Sequence, residues 1–179
     1  MNMDIIGNIV RTDLHSYLEA AGAVDSSLPE CIDVEEKWEE IAKAYMPDGI
    51  REFNSAPVAA LGWMMFIGMA VAEFWDEDWE KYRVDNSIYE HLRDSRGYDY
   101  MDEYILEDVL HLDPKKAARV SSIVAECASR SNSILIRQQI EPGTTAAFNA
   151  FVSVIHQMYL MGMAMQLKSL GYKMTLMTV

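Results

Sequence analysis

The sequence predicts a single all-α domain, a bundle of about six or seven helices built around two buried apolar ones. Three observations lead there. Residues 56–75 and 144–168 are almost purely apolar and rich in Ala, Gly and Met. A helix that is hydrophobic all round lies inside a core or spans a membrane. Elsewhere the apolar residues recur three and four apart, the spacing of one helix face. No strand-rich region, internal repeat or linker interrupts them. With 179 residues, half of them hydrophobic, one domain has a substantial core available. Residues 1–179 are read as that domain, and the short β-prone stretch 172–179 as an extended tail or arm.

The elements follow in order. Residues 4–21 form helix one, with Ile6, Ile9, Val10, Leu14, Tyr17, Leu18 and Ala21 on one face and Gly22 as the stop. A loop over 23–31 contains Pro29. Helix two covers 33–45 on a stripe of Val34, Trp38, Ile41, Ala42 and Tyr45. Glu35, Glu36, Lys37, Glu39, Glu40 and Lys43 lie off that stripe. Pro47 and Gly49 are expected to break the chain. Asn54 or Ser55 caps helix three, which has Pro57 in its first turn. After Ala72 this helix turns amphipathic, with Phe74, Trp75, Trp79 and Tyr82 on one side and Glu73, Asp76, Glu77 and Glu80 on the other.

Asp85 opens a short helix that Gly97 ends. Residues 99–112 form another, with Met101, Ile105, Asp108 or Val109, and Leu112 facing inward. Asp113-Pro114 is a strong start signal, an N-cap followed by proline at the first helical position. The helix it opens reaches about Ile140. Its seam of Ala117, Val120, Val124, Cys127, Ser131 and Ile134 is mostly small and suits close packing. Pro142-Gly143 then turns the chain into the second apolar helix, which ends near Gly171. A glycine costs a helix about 1 kcal/mol relative to alanine. Close approach of the apolar helices is the expected compensation at Gly62, Gly68 and Gly162.

A membrane-spanning role for residues 56–75 is disfavoured. Asp76, Glu77, Asp78 and Glu80 follow at once, and basic anchoring residues are few. Membrane insertion is therefore not expected. No signal peptide is visible. Cys31 and Cys127 lie far apart outside any CxxC pattern, which suits reduced thiols in the cytoplasm.

The net charge is −13. Residues 1–90 carry 19 acidic and 6 basic side chains, and residues 91–179 carry 9 of each. An acidic first half repels phosphate, so direct nucleic-acid binding is not expected. From Glu73 to Asp108 there are 13 acidic and 4 basic residues, interleaved with tyrosine and tryptophan. Trp75, Asp76, Glu77, Trp79, Glu80, Tyr98, Tyr100, Asp102 and Glu103 are the candidates for a partner surface, one suited to a basic protein.

His156 is the most chemically interesting residue. Asn149, Ser153 and His156 share one face of the second apolar helix, with Gln157 beside them. Such a stripe forms either a closed core network or the polar floor of a ligand pocket. Glu73 is the one charge among residues 56–75, and it could pair with His156 if the apolar helices are neighbours. Metal binding has little support. There is no Glu-x-x-His, and the pairs Glu107/His111 and His15/Glu19 equally fit helical ion pairs. No nucleophile or phosphate-loop motif appears, and no cofactor is called for.

The expectation is thus a cytoplasmic, non-catalytic interaction protein. Its apolar surplus suggests a homodimer. Two alternatives are a small-molecule binder or enzyme near His156, and an acidic mimic of nucleic acid that blocks a basic partner.

Overall fold

The computed structural model describes residues 4–27 and 32–172. It is an all-α, single-domain bundle with seven α-helices among those residues. They are α1 (Asp4–Ala20), α2 (Ile32–Ser55), α3 (Pro57–Arg83), α4 (Ile88–Asp94), α5 (Met101–Tyr104), α6 (Pro114–Arg137) and α7 (Thr145–Ser169). The expected tail lies outside the described residues beyond Tyr172, as do Cys31 and much of the loop before α2.

The two apolar helices are the heart of the bundle. α3 and α7 form its most extensive pairing, and α3–α6–α1–α7 close a ring of mutually packed helices. α2 and α4 lie against the other side of α3. Both α3 and α7 are long and apolar enough to cross a membrane, yet 72% and 78% of their apolar windows are buried inside the bundle.

Small residues set how close the pair comes. A Cβ added at Gly68 would overlap the Tyr159 carbonyl oxygen and sit 3.2 Å from the Met163 nitrogen. One added at Gly162 would overlap the Met65 carbonyl oxygen and sit 3.2 Å from the Met65 Cα. Backbone therefore meets backbone at one crossing, which only glycine permits on both sides. Gly62 differs from the expectation, because its nearest neighbour across the gap is Val124 of α6, at 3.4 Å from a modest added Cβ.

Several elements depart from the sequence reading. α2 continues through Pro47 and Gly49 to Ser55 instead of ending at Tyr45. At Gly49 the missing side chain makes room for the Tyr45 ring, whose Cε2 would lie 2.5 Å from an added Cβ. Glycine here serves packing within a helix. Lys37, expected off the buried stripe, is itself buried. Its ammonium donates to the Asp85 carbonyl at 2.7 Å and to Glu40 at 2.8 Å, so its charge is satisfied inside. Ile9 is exposed, while Ile6, Val10, Leu14 and Leu18 carry the buried face of α1.

α3 breaks at Asp78, whose φ/ψ of −165°/80° is not helical. Asp78 Oδ1 accepts from the Lys81 amide at 3.3 Å and so caps the turn that restarts the helix. Residues 99–112 are not one helix. A 3₁₀ turn at Tyr98–Tyr100 leads into α5, then a π turn at Ile105–Val109. Ile105, Leu106, Val109 and Leu110 are all buried here, and Asp108 stays outside against Arg96. The start of α6 matches its signal, with Asp113 Oδ1 accepting from the Lys116 amide at 2.8 Å. α6 ends at Arg137, three residues before the expected end.

Cys127 is fully buried in the α6 seam, and burial pushes its thiol up to about 12. A thiol that stays protonated at neutral pH is a poor nucleophile. In a Cys31→Ser background the native protein should therefore give no reaction with a thiol reagent at neutral pH and one equivalent after denaturation. Full reaction in the native state would show that this seam opens readily.

Candidate functional site

The polar stripe of α7 meets α1 and α2, not α3. His156 Nε2 hydrogen-bonds Glu35 Oε1 of α2, and its ring stacks on Trp38 at 4.6 Å between centroids. Trp38 also leans on Tyr159, at 5.2 Å. The His156 side chain remains 28% exposed. Asn149 and Ser153 are also half-buried, and only Gln157 is deeply placed. Gly7 of α1 passes over Gln157, whose Oε1 is buried without a hydrogen-bond partner among the described residues. An open hollow of about 390 Å³ lined by Glu35, Glu36, Trp38 and Glu39 lies beside His156. A solvated carboxylate and a tryptophan face hold this histidine on the surface.

Glu73 does not reach His156. It accepts from the Gln166 amide at 2.8 Å, ten residues further along α7. Helical rise makes that separation about 15 Å. The two polar groups therefore sit at different levels of the same helix pair. Glu35 and Trp38 were the missed members of the histidine site. Trp38 read as core, and Glu35 read as one of several solvated carboxylates.

Two of the other three histidines have side-chain partners. His15 contacts the Asp25 carbonyl at 2.9 Å and Glu19 at 3.7 Å. His91 hydrogen-bonds the Tyr104 hydroxyl at 2.8 Å. Glu107 pairs with Arg96. Among the described residues no three of His, Cys, Asp and Glu come together in a way that could hold a metal ion.

The acidic-aromatic stretch divides in two. Trp75, Trp79 and Tyr82 turn their rings onto the core, leaving Asp76, Glu77 and Glu80 in solvent near the end of α3. Trp75 meets Tyr172 edge-on at 5.2 Å, and the Tyr172 hydroxyl donates to Asp76 at 2.6 Å. The second group lies around Trp63, where Tyr98 packs edge-on at 5.7 Å. Here Tyr100 is 56% exposed, with Glu103 exposed and Asp102 half-buried beside it. Asp76 is 13 residues beyond Trp63, about 20 Å along α3. The nine partner-surface candidates therefore do not form one patch.

The second group borders a groove between α3 and α6. Val58, Trp63, Phe66, Val124 and Ala128 give it apolar walls, Asp102 stands at its edge, and its volume is about 240 Å³. Gly62 lowers its floor. No family model, curated protein or solved structure matches the chain. The groove, the His156–Glu35–Trp38 cluster and the surface charge therefore have to be interpreted from their own chemistry.

The groove combines apolar walls with the Asp102 carboxylate and the Ser121 hydroxyl. Most nearby cations are already occupied. Arg93 is held by Asp94 and Asp48, and Arg96 by Glu107 and Asp108. No salt bridge is formed by Asp99, Asp102 or Glu103 within the described residues, so this end of the groove is negative.

Proposed function

We propose that this protein is a non-catalytic binding protein whose α3–α6 groove receives a basic amphipathic helix from a protein partner. The observation that carries this reading is the pairing of an open apolar groove with the uncompensated carboxylates of Asp99, Asp102 and Glu103 and the exposed ring of Tyr100. Apolar anchors of a partner helix would fill the groove, and its lysines or arginines would meet the acidic end. Charge of this kind speeds encounter and selects the partner more than it deepens affinity. The same reading takes the chain as free of the membrane, since α3 and α7 bury their apolar windows against each other and their neighbours. It also favours a direct partner over the nucleic-acid mimic, because the two acidic groups are separated along α3.

Fluorescence anisotropy with a labelled cationic amphipathic peptide tests the proposal. A scrambled peptide of equal charge, with no apolar face, is the control. The amphipathic peptide should bind and the scrambled one should bind much more weakly. Ala125→Trp, which fills the groove from its exposed lip, should abolish binding. Asp102→Asn should weaken it about two- to fivefold, the range expected of a rim charge. Equal binding of both peptides, or indifference to Ala125→Trp, would overturn the proposal. So would failure to bind accompanied by a dimer that Ala125→Trp dissociates, which would make the groove a self-association surface.

A further inference from the structure

A second hollow has the opposite charge character. It lies where the end of α1, the first turns of α6 and the end of α7 converge, and its volume is about 350 Å³. Its apolar lining comes from Leu112, Val120, Ile123 and Met165. Three cations line it as well, Lys116 and Arg119 from α6 and Lys168 from α7. In a chain with 15 lysines and arginines against 28 acidic residues, three converging on one apolar hollow is a local reversal of the overall charge. Pockets of this size, mostly apolar with a few convergent polar groups, are typical of small-molecule sites.

Fold stability accounts for only part of this arrangement. Arg119 Nη2 reaches the Ala21 carbonyl at 3.4 Å, and Lys168 Nζ reaches the Val24 carbonyl at the same distance. Arg119 thus helps to satisfy the chain just past the end of α1, whose last turn carries no basic residue of its own, and Lys168 the loop that follows. Lys168 also lies 3.4 Å from Asp25. These contacts are long, and a guanidinium has five N–H donors and an ammonium three, so donors remain for a ligand. Lys116 has no such duty. It occupies the first turn of α6, where the helix dipole disfavours a cation and the carboxylate at hand, Asp113, is engaged in capping the backbone. Gln166, also in the lining, is turned to Glu73 and holds that carboxylate at 2.8 Å.

We infer that this hollow binds a small amphipathic anion, a single-chain carboxylate whose head meets Lys116 and Arg119 and whose alkyl tail lies on Val120, Ile123 and Met165. This site is independent of the α3–α6 groove and shares none of its lining residues. The head is placed by charge-assisted hydrogen bonds and the tail by burial of apolar surface.

Isothermal titration with decanoate below its micellar concentration tests the assignment, with decanol and acetate as partial ligands. Decanoate should bind at one site per chain. Decanol, lacking the charge, and acetate, lacking the tail, should each bind at least tenfold more weakly. Lys116→Ser/Arg119→Ser should weaken decanoate at least tenfold and leave decanol unchanged. Both residues are exposed, so the variant should keep the parent's circular dichroism, with only a small fall in melting temperature from the lost Arg119–Ala21 contact. Val120→Trp, which fills the hollow, should remove binding of both. Flotation with phosphatidylcholine–phosphatidylglycerol vesicles separates a free ligand from a lipid surface. The protein should stay unbound. Equal affinity for decanoate and decanol, an unchanged decanoate affinity in Lys116→Ser/Arg119→Ser, or vesicle binding without decanoate binding would each overturn the inference.

Discussion

Gly68→Ala and Gly162→Ala should each destabilise the protein by about 2–4 kcal/mol, even though alanine is the better helix former by about 1 kcal/mol. Each added methyl would overlap a carbonyl oxygen of the facing helix, Tyr159 for Gly68 and Met65 for Gly162. Backbone cannot rotate away as a side chain can, so α3 and α7 must separate. Separation loosens the contacts of Met65, Tyr159, Met163 and their neighbours in the fully packed centre. For a chain of this length the loss corresponds to a fall of about 5–15 °C in melting temperature. The two substitutions act on one crossing, so helices already parted by the first should accept the second at lower cost. The double variant should therefore fall short of additivity by about 1 kcal/mol or more. Gly62→Ala is the internal control. Its methyl would meet Val124 at an ordinary 3.4 Å, so it should be neutral or raise stability by up to about 1 kcal/mol. Thermal melts of the four variants decide the matter. Unchanged melting for Gly68→Ala and Gly162→Ala would refute the close crossing.

Tyr45→Ala should cost about 3–5 kcal/mol, and Tyr45→Phe about 1–2 kcal/mol. The difference separates the two jobs of this residue. Its ring is fully buried, lies over Gly49 and meets Tyr89 edge-on at 5.5 Å. Its hydroxyl donates to the Ala60 carbonyl at 2.5 Å, which ties α2 to the start of α3. Burial also holds the Tyr45 phenol well above its ordinary range, and burial does the same for Tyr89 and Tyr98. The unfolded phenol ionises near pH 10 while the folded one stays protonated. The stabilising difference is therefore complete below pH 10 and is lost as the pH rises above it. Denaturant titrations should show stability falling above about pH 10. Tyr45→Phe should show a shallower fall, because one of the suppressed phenols is gone. Equal alkaline slopes for parent and variant would contradict a buried, protonated Tyr45.

Local signals worked where the deciding interaction spans a few residues. Asp113-Pro114 started a helix because an aspartate caps the amide three residues on, and that bond is present. The apolar stretches 56–75 and 144–168 named the central pair because apolar residues surround most of each helix. The misreadings came from interactions between distant parts of the chain. Pro47 and Gly49 looked like a break, but the buried Tyr45 ring and the packing of α2 on α3 carry the helix through them. Lys37 looked solvated, but the Asp85 carbonyl, 48 residues away, receives it. The π turn at Ile105–Val109 keeps Ile105, Leu106 and Val109 buried, as a regular helix would, and no end signal in the sequence marks it.

By itself the sequence determined the helical class, the two central helices and most of the face that each outer helix buries. These follow from periodicity and from end signals, which act over one or two turns. The glycine requirement at the α3–α7 crossing was also visible in outline, since glycine inside an apolar helix needs a compensating contact. The tertiary structure alone decided which charges meet. It paired His156 with Glu35 and not Glu73, split the acidic-aromatic stretch into two separate groups, and gathered Lys116, Arg119 and Lys168 around one hollow. The reason is physical. Coulombic and hydrogen-bonding partners are chosen by distance in space, and in a bundle that distance depends on the order, rotation and offset of whole helices, which no local pattern encodes.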